Sequence, residues 1–538
     1  MAGLAQHSRS VARRHRVDTP ELVRGVVSLG EGDHVVSHQQ EEASSSYIPQ
    51  GINEISSSCI IRMVDNRLRN DYSVMYTPRY VSIGPHHMNS DLPMGKEDKE
   101  TNLQTILQEK AGSGDPLALK SVWKTELDSH VDTALGYYRS SNSTLLNDEI
   151  KPLLVLASLN KDMTREKFLD MLLEDGCYIL KQFVPQADDD AALAIQRVPK
   201  VAQDVEHDVI YLAENLIPFF ILERINEIIG WSRPGAELVH FFCSYIKHHV
   251  LEYHGYAIGE RYKEIPRPSH LLHLLHILLI GYHPTTEVST RGTGQSRDDD
   301  DVEMAGQVTI IAKGSPTTEE PDDKAMSRFL RWHRAKKYEM ARVELTGVDL
   351  ISIKKRSGGS ACPERSILDV NLRRRCGSMR LEFPSLYVDD ETWCILRNLI
   401  ALEQENAIML QHRVTAYCVL MSQLACTAED VELLGRRRVA DHLLPDDADC
   451  AGRFAQLCSR VIFNMDDKTL NYLRDECVEL DGRYRSKPSK WTAWMLREYF
   501  RNPCVTVASV LALIFIAFGM LQAVFAILKF AGKVKQSD

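Results

Sequence analysis

The sequence predicts a mainly α protein: one large helical domain with a small β-element and a single C-terminal transmembrane helix. Three observations point there. Apolar residues recur at three- and four-residue spacing through much of the chain, as one buried helix face requires; the stretch from Cys504 to Leu528 carries no charge; and residues 287–326 form an acidic break between two helical halves. At 538 residues, 44% hydrophobic and 26% charged, the composition is globular and excludes collagenous, wholly disordered and polytopic membrane chains. A net charge of −10 supplies no global attraction for nucleic acid, and none is expected as a partner.

From the N-terminus, residues 1–45 mix Arg, His, Ser, Gln and Glu without periodicity and are predicted to be a disordered tail. The N-terminal half of the helical domain is placed at 55–286. Within it Leu238, Phe241, Phe242, Tyr245 and Ile246 draw one apolar stripe, and the stretch 205–229 is predicted as a helix kinked at Pro218, whose ring removes a backbone hydrogen bond. Residues 287–326 hold ten acidic and four basic residues, too polar to offset their ordering entropy, and are predicted to be an acidic disordered loop. The C-terminal half is placed at 327–500, with long amphipathic helices between Thr392 and Leu434 and two short extended pieces, Ile367 to Leu372 and Met379 to Val388, around Gly377.

Residues 504–528 would form a helix about 37 Å long, enough for a hydrocarbon core of roughly 30 Å. Fourteen of its twenty-five residues are Val, Leu, Ile or Phe; Trp491, Trp494, Tyr499 and Phe500 precede it, and a short basic tail, 529–538, follows. The N-terminus lacks the apolar core of a secretory signal. These features predict a tail-anchored, single-pass protein with its large domain in the cytosol, its flanking charges nearly balanced. Ala508, Ala512, Gly519 and Ala523 would let such helices pack closely into homo-oligomers. Asn142 opens a glycosylation sequon.

No catalytic motif emerges, so an enzyme is not expected, and no catalytic, cofactor or metal residue is assigned. His270, His273 and His276 suit a helical His stripe at a packed boundary better than zinc ligands. The run from His249 to His254 puts Tyr253 where a metalloprotease motif needs its second His. Cys418 and Cys426, like Cys450 and Cys458, are spaced as small core residues on helices. The triplets Arg373–Arg375 and Arg436–Arg438 lack interleaved aromatics and read as solvated faces. Asn215 and Asn398 flank apolar runs and are expected to be buried and hydrogen-bonded. The alternatives are a membrane-proximal enzyme of unrecognised type using His87, His249 or His254, and a self-associating helical scaffold.

Several blocks together resemble the plant domain-of-unknown-function 247 family. They are Tyr76, Pro78 and Val81 through Pro85 with His87; Glu174-Asp175-Gly176-Cys177-Tyr178-Ile179-Leu180; Glu214-Asn215-Leu216-Ile217-Pro218-Phe219-Phe220; Arg397-Asn398-Leu399-Ile400-Ala401; and Tyr499 to Pro503 before the apolar stretch. Leu216 stands where that family has Gln, and Asn371 to Arg375 departs from its pattern. The resemblance covers about residues 55–528 and implies a membrane-bound plant protein of unknown molecular activity, with no catalytic residue to carry over. Some relatives resemble self-incompatibility determinants, which implies an interaction or recognition component.

Overall fold

Asp389 begins the central helix of the protein by a capping box: its carboxylate accepts from the Thr392 N–H at 2.8 Å, and the Thr392 hydroxyl accepts from the Asp389 N–H at 3.0 Å. Sixteen residues later, at Glu405, that helix ends, and twelve of the sixteen are buried. The computed structural model describes residues 59–138, 151–159, 162–184, 200–231, 238–259, 265–281, 330–357, 365–375, 378–485 and 503–534.

In chain order the helices are α1 Asn66–Arg69, α2 Lys96–Ala111, α3 Pro116–Asp128, α4 Val131–Gly136, α5 Lys151–Leu159, α6 Arg165–Phe183, α7 Lys200–Glu206, α8 Phe219–Ile229, α9 Leu238–Tyr245, α10 Leu271–Ile280, α11 Ala335–Met340, α12 Leu350–Ser357, α13 Asp390–Glu405, α14 Arg413–Leu424, α15 Ala428–Arg436, α16 Asp447–Leu457, α17 Arg474–Arg485 and α18 Pro503–Val534. Single π-turns extend α7 (His207–Tyr211) and α9 (Ile246–Leu251). Helix α6 starts at Thr164, whose hydroxyl accepts from the Lys167 N–H, and α10 starts at His270, whose ring nitrogen accepts from the His273 N–H. One hydrophobic core runs from Cys59 to Leu480 and takes residues from both halves of the chain.

Among the described residues, seven short strands make three small sheets. Strand β1 (Ala257–Ile258) pairs antiparallel with β3 (Arg365–Ser366). Strand β5 (Ser378–Pro384) lies between β4 (Asn371–Arg375), antiparallel, and β2 (Val343–Val348), parallel. Strand β6 (Leu386–Val388) runs parallel to β7 (Ala440–His442). Gly347 of β2 permits the closest approach: a Cβ there would lie 1.6 Å from the Arg438 carbonyl oxygen.

Several expectations are corrected. The fold is mainly helical with small sheets, but the transmembrane helix predicted at 504–528 is not supported: among the described residues, no helix is long and apolar enough to cross a membrane. A helix is present there, α18. The single-pass and tail-anchored readings lose that support. Residues 529–534 of the predicted basic tail continue this helix. The kinked helix through Pro218 is instead two helices, because Leu212–Ile217 leaves helical geometry and Pro218 caps α8. Of the two extended pieces, the first contributes only the start of β4, the second divides into β5 and β6 in different sheets, and the parallel partner β2, where Val343 and Leu345 alternate with Glu344 and Thr346, lies outside both. The predicted tail 1–45, the loop 287–326 and Asn142 lie outside the described residues.

Candidate functional site

Four of the sequence blocks singled out above meet in one buried polar network around residues 79–87. Asp208, fully buried in the π-turn after α7, accepts from three consecutive backbone N–H groups: Arg79 at 2.9 Å, Tyr80 at 2.7 Å and Val81 at 2.8 Å. Three N–H donors on one carboxylate offset the burial of its charge. Asn215 takes the next positions. Its Oδ1 accepts from the Ile83 N–H at 2.7 Å, and its Nδ2 donates to the carbonyls of Val81 (3.0 Å) and Asp208 (2.9 Å). Asp175 of α6 accepts from the Gly84 N–H at 2.7 Å and pairs with Lys99 of α2. Gly84 has φ +74°, and a Cβ there would lie 2.3 Å from the Leu216 carbonyl oxygen.

A second layer joins the halves. Glu214, also fully buried, accepts from the Val64 N–H at 2.9 Å, faces Arg69 at 3.0 Å and receives His87 Nε2 at 3.1 Å. Asn398 accepts from the Ala213 N–H at 2.8 Å and donates to the Met75 carbonyl at 2.8 Å. Arg397 donates to the carbonyls of Gln456, Leu457 and Leu68, each at 2.9 Å, with its guanidinium 4.1 Å from the Tyr72 ring centroid. Asn215 and Asn398 are thus buried with both ends of their amides bonded.

At the edge of this network lies the one cluster, among the described residues, of three metal-ligating types. His207 Nε2 is 3.1 Å from Cys394 Sγ and 3.8 Å from Glu391 Oε2, and all three donor atoms lie within 4.8 Å of one another. Glu391 and Cys394 stand three residues apart on the first turns of α13 and so share a face. His207 comes from the π-turn, 187 residues away. Its Nδ1 meets Asp208 Oδ1 at 2.9 Å; the carboxylate only accepts, so Nδ1 carries the proton and Nε2 presents its lone pair to the thiol. Arg79 Nη1 holds the other Glu391 oxygen at 2.5 Å. Burial, followed by the charge of Glu391, pushes the Cys394 thiol up to about 12.

The histidines considered from sequence are dispersed over separate partners. His87 bonds Glu214, His249 stacks on Tyr245 with centroids 4.5 Å apart, and His254 pairs with Asp389 at 3.2 Å. His270 is a helix cap, while His276 Nε2 meets Glu403 at 2.8 Å. Arg373 and Arg374 pair with Glu382 and Glu479, and Arg436 and Arg437 with Glu432 and Glu339. Cys418, Cys450 and Cys458 are buried free thiols; Cys426 is exposed. Sequence reasoning misses the His207, Glu391 and Cys394 cluster because it seeks close Cys or His pairs. The available signals are the His207-Asp208 dipeptide and the Glu391-x-x-Cys394 spacing at a helix start.

Among the described residues the chain is a mainly helical body organised on this network, and it matches a family described as plant protein of unknown function. The chain belongs to the DUF247 family, whose model matches residues 61–518. No curated protein and no solved structure matches it.

Proposed function

We propose that the protein is an interaction component that associates with a second copy of itself through α18. The observation that carries this reading is the exposure of that helix. Val507, Leu511, Leu513 to Ile516, Phe518, Met520, Leu521, Val524, Phe525 and Ile527 are all exposed, several on every side of the helix. A continuous apolar surface of this extent is unfavourable in water and marks a place where something docks. Ala508, Ala512, Gly519 and Ala523 fall within about 60° of one another around a helix with 100° per residue, which leaves one face where two backbones can approach. A Cβ added at Gly519 would meet nothing within 4 Å, so that position is open to a partner.

The test is the mass of the purified full chain by analytical ultracentrifugation, with Gly519→Ile as the probe. A dimer that becomes monomeric in Gly519→Ile supports the reading. A monomer, or a dimer indifferent to the substitution, overturns it; a monomer that floats with phosphatidylcholine vesicles would identify lipid as the cover instead.

A further inference from the structure

We propose that His207, Cys394 and Glu391 bind one divalent transition-metal ion of the zinc class. The donor set is an imidazole nitrogen, a thiolate sulfur and a carboxylate oxygen. That mixture suits borderline ions and excludes calcium and magnesium, which select oxygen cages.

The spacing fits. Zinc bonds of about 2.05 Å to nitrogen, 2.3 Å to sulfur and 2.1 Å to oxygen in tetrahedral geometry place N and S about 3.6 Å apart and N and O about 3.4 Å apart. The observed separations are 3.1 Å and 3.8 Å. Both lie within about half an ångström of the tetrahedral values, and the sulfur and carboxylate oxygen lie within 4.8 Å of each other.

The surroundings are those of a metal centre. Asp208 binds Nδ1 of His207, the outer contact that fixes the tautomer and orientation of a ligating histidine, and Asp208 is itself held by the backbone of residues 79–81. Asn398 Nδ2 points an N–H at Cys394 Sγ from 3.4 Å, a contact that favours thiolate over thiol. Glu391 Oε2 is buried and makes no hydrogen bond among the described residues, while Arg79 occupies Oε1 and leaves Oε2 turned toward His207. An unbonded buried carboxylate oxygen is costly unless a cation completes it. His207 and Cys394 are 1% exposed and the Glu391 side chain 33%, so Glu391 is the arm of the cluster nearest solvent.

A Cys394–His207–Asp208 nucleophilic relay shares two of these contacts. It is disfavoured because the sulfur is sealed from any substrate. Metal binding replaces the thiol proton: the thiol and the dication give a metal–thiolate bond and one proton released to solvent.

The experiment loads the purified full chain with cobalt(II) and reads the sulfur-to-cobalt charge-transfer absorption, followed by displacement with zinc. One cobalt per chain with that band is expected. Cys394→Ser should abolish the band, and Glu391→Gln, on the more exposed arm, should weaken cobalt affinity at least tenfold with the circular dichroism unchanged. Absence of the band, its persistence in Cys394→Ser, or unchanged affinity in Glu391→Gln overturns the proposal.

Discussion

Lys99 and Asp175 are locked together beneath the Gly84 turn, with 6% and none of their side-chain surfaces exposed. The ammonium also donates to the Ser82 carbonyl at 2.9 Å, and the second carboxylate oxygen accepts from the Gly84 N–H at 2.7 Å. Removing one member strands the other in a medium that solvates it poorly. We predict that Asp175→Ala lowers unfolding stability by about 3–5 kcal/mol in urea titrations, whereas the apolar pair Lys99→Met with Asp175→Leu recovers most of that loss. A single-variant loss below about 1 kcal/mol would show that the pair is dispensable.

At Gly84 the obstacle is backbone. The carbonyl oxygen of Leu216 lies 2.3 Å from where a Cβ would stand. That oxygen also accepts from the Tyr138 hydroxyl at 2.9 Å and cannot swing aside without losing the bond. With the penalty for a side chain at φ +74° added, Gly84→Ala is predicted to cost about 2–4 kcal/mol. Thermal melting checks this, and a variant as stable as the parent would mean the turn can rebuild.

Asn215 separates shape from hydrogen bonding. Asn215→Asp keeps the acceptor for the Ile83 N–H but turns an oxygen toward the carbonyls of Val81 and Asp208, where Nδ2 otherwise donates. Asn215→Asp should therefore be at least as destabilising as Asn215→Ala, each by about 2–4 kcal/mol. Equal stability of Asn215→Asp and the parent, measured in guanidinium, would contradict this.

Glu174 sets a pH dependence. Burial, then the neighbouring Asp175, raises its carboxyl from 4.5 to about 7. The folded state then holds this proton more tightly than the unfolded state between those values. Stability from this group is complete below pH 4.5, falls as pH rises to about 7, and is flat above. Allowing for partial solvent screening, the fall is on the order of 1–2 kcal/mol. Glu174→Gln should match the parent at pH 4.5 and exceed it at pH 8; a gap that does not change with pH would refute the assignment.

Legibility in the sequence follows the range of the interactions. The helices around Trp393 and Phe242 are visible because their apolar spacing is local, and the turn at Gly84-Pro85 because turn chemistry is local; Asp175-Gly176, a pair that locally favours a turn, instead lies inside α6, where tertiary packing decides. The network is partly visible: Asn215 and Asn398 stand out as amides beside apolar runs. What they bond, backbone 132 and 185 residues away, leaves no local trace. For the same reason the metal-ligating cluster is invisible, since His207 and Cys394 lie on elements 187 residues apart. Strand β2 escapes because its parallel pairing with β5 is a tertiary event. The apolar stretch at 504–528 reads as a span on composition alone, and composition specifies a helix there without specifying what surrounds it.

Asn406 accepts the Ile60 N–H at 2.7 Å across 346 residues, and Arg397 donates to the Leu68 carbonyl across 329. Ile60 and Leu68 are therefore completed by groups that leave the ribosome more than 300 residues later. Until α13 has emerged, the Ile60 N–H and the Leu68 carbonyl lack these partners. Residues 79–84 find Asp208, Asn215 and Asp175 within their own half, so what waits for α13 is the edge at Ile60 and Leu68, and closing that edge is a late step of assembly.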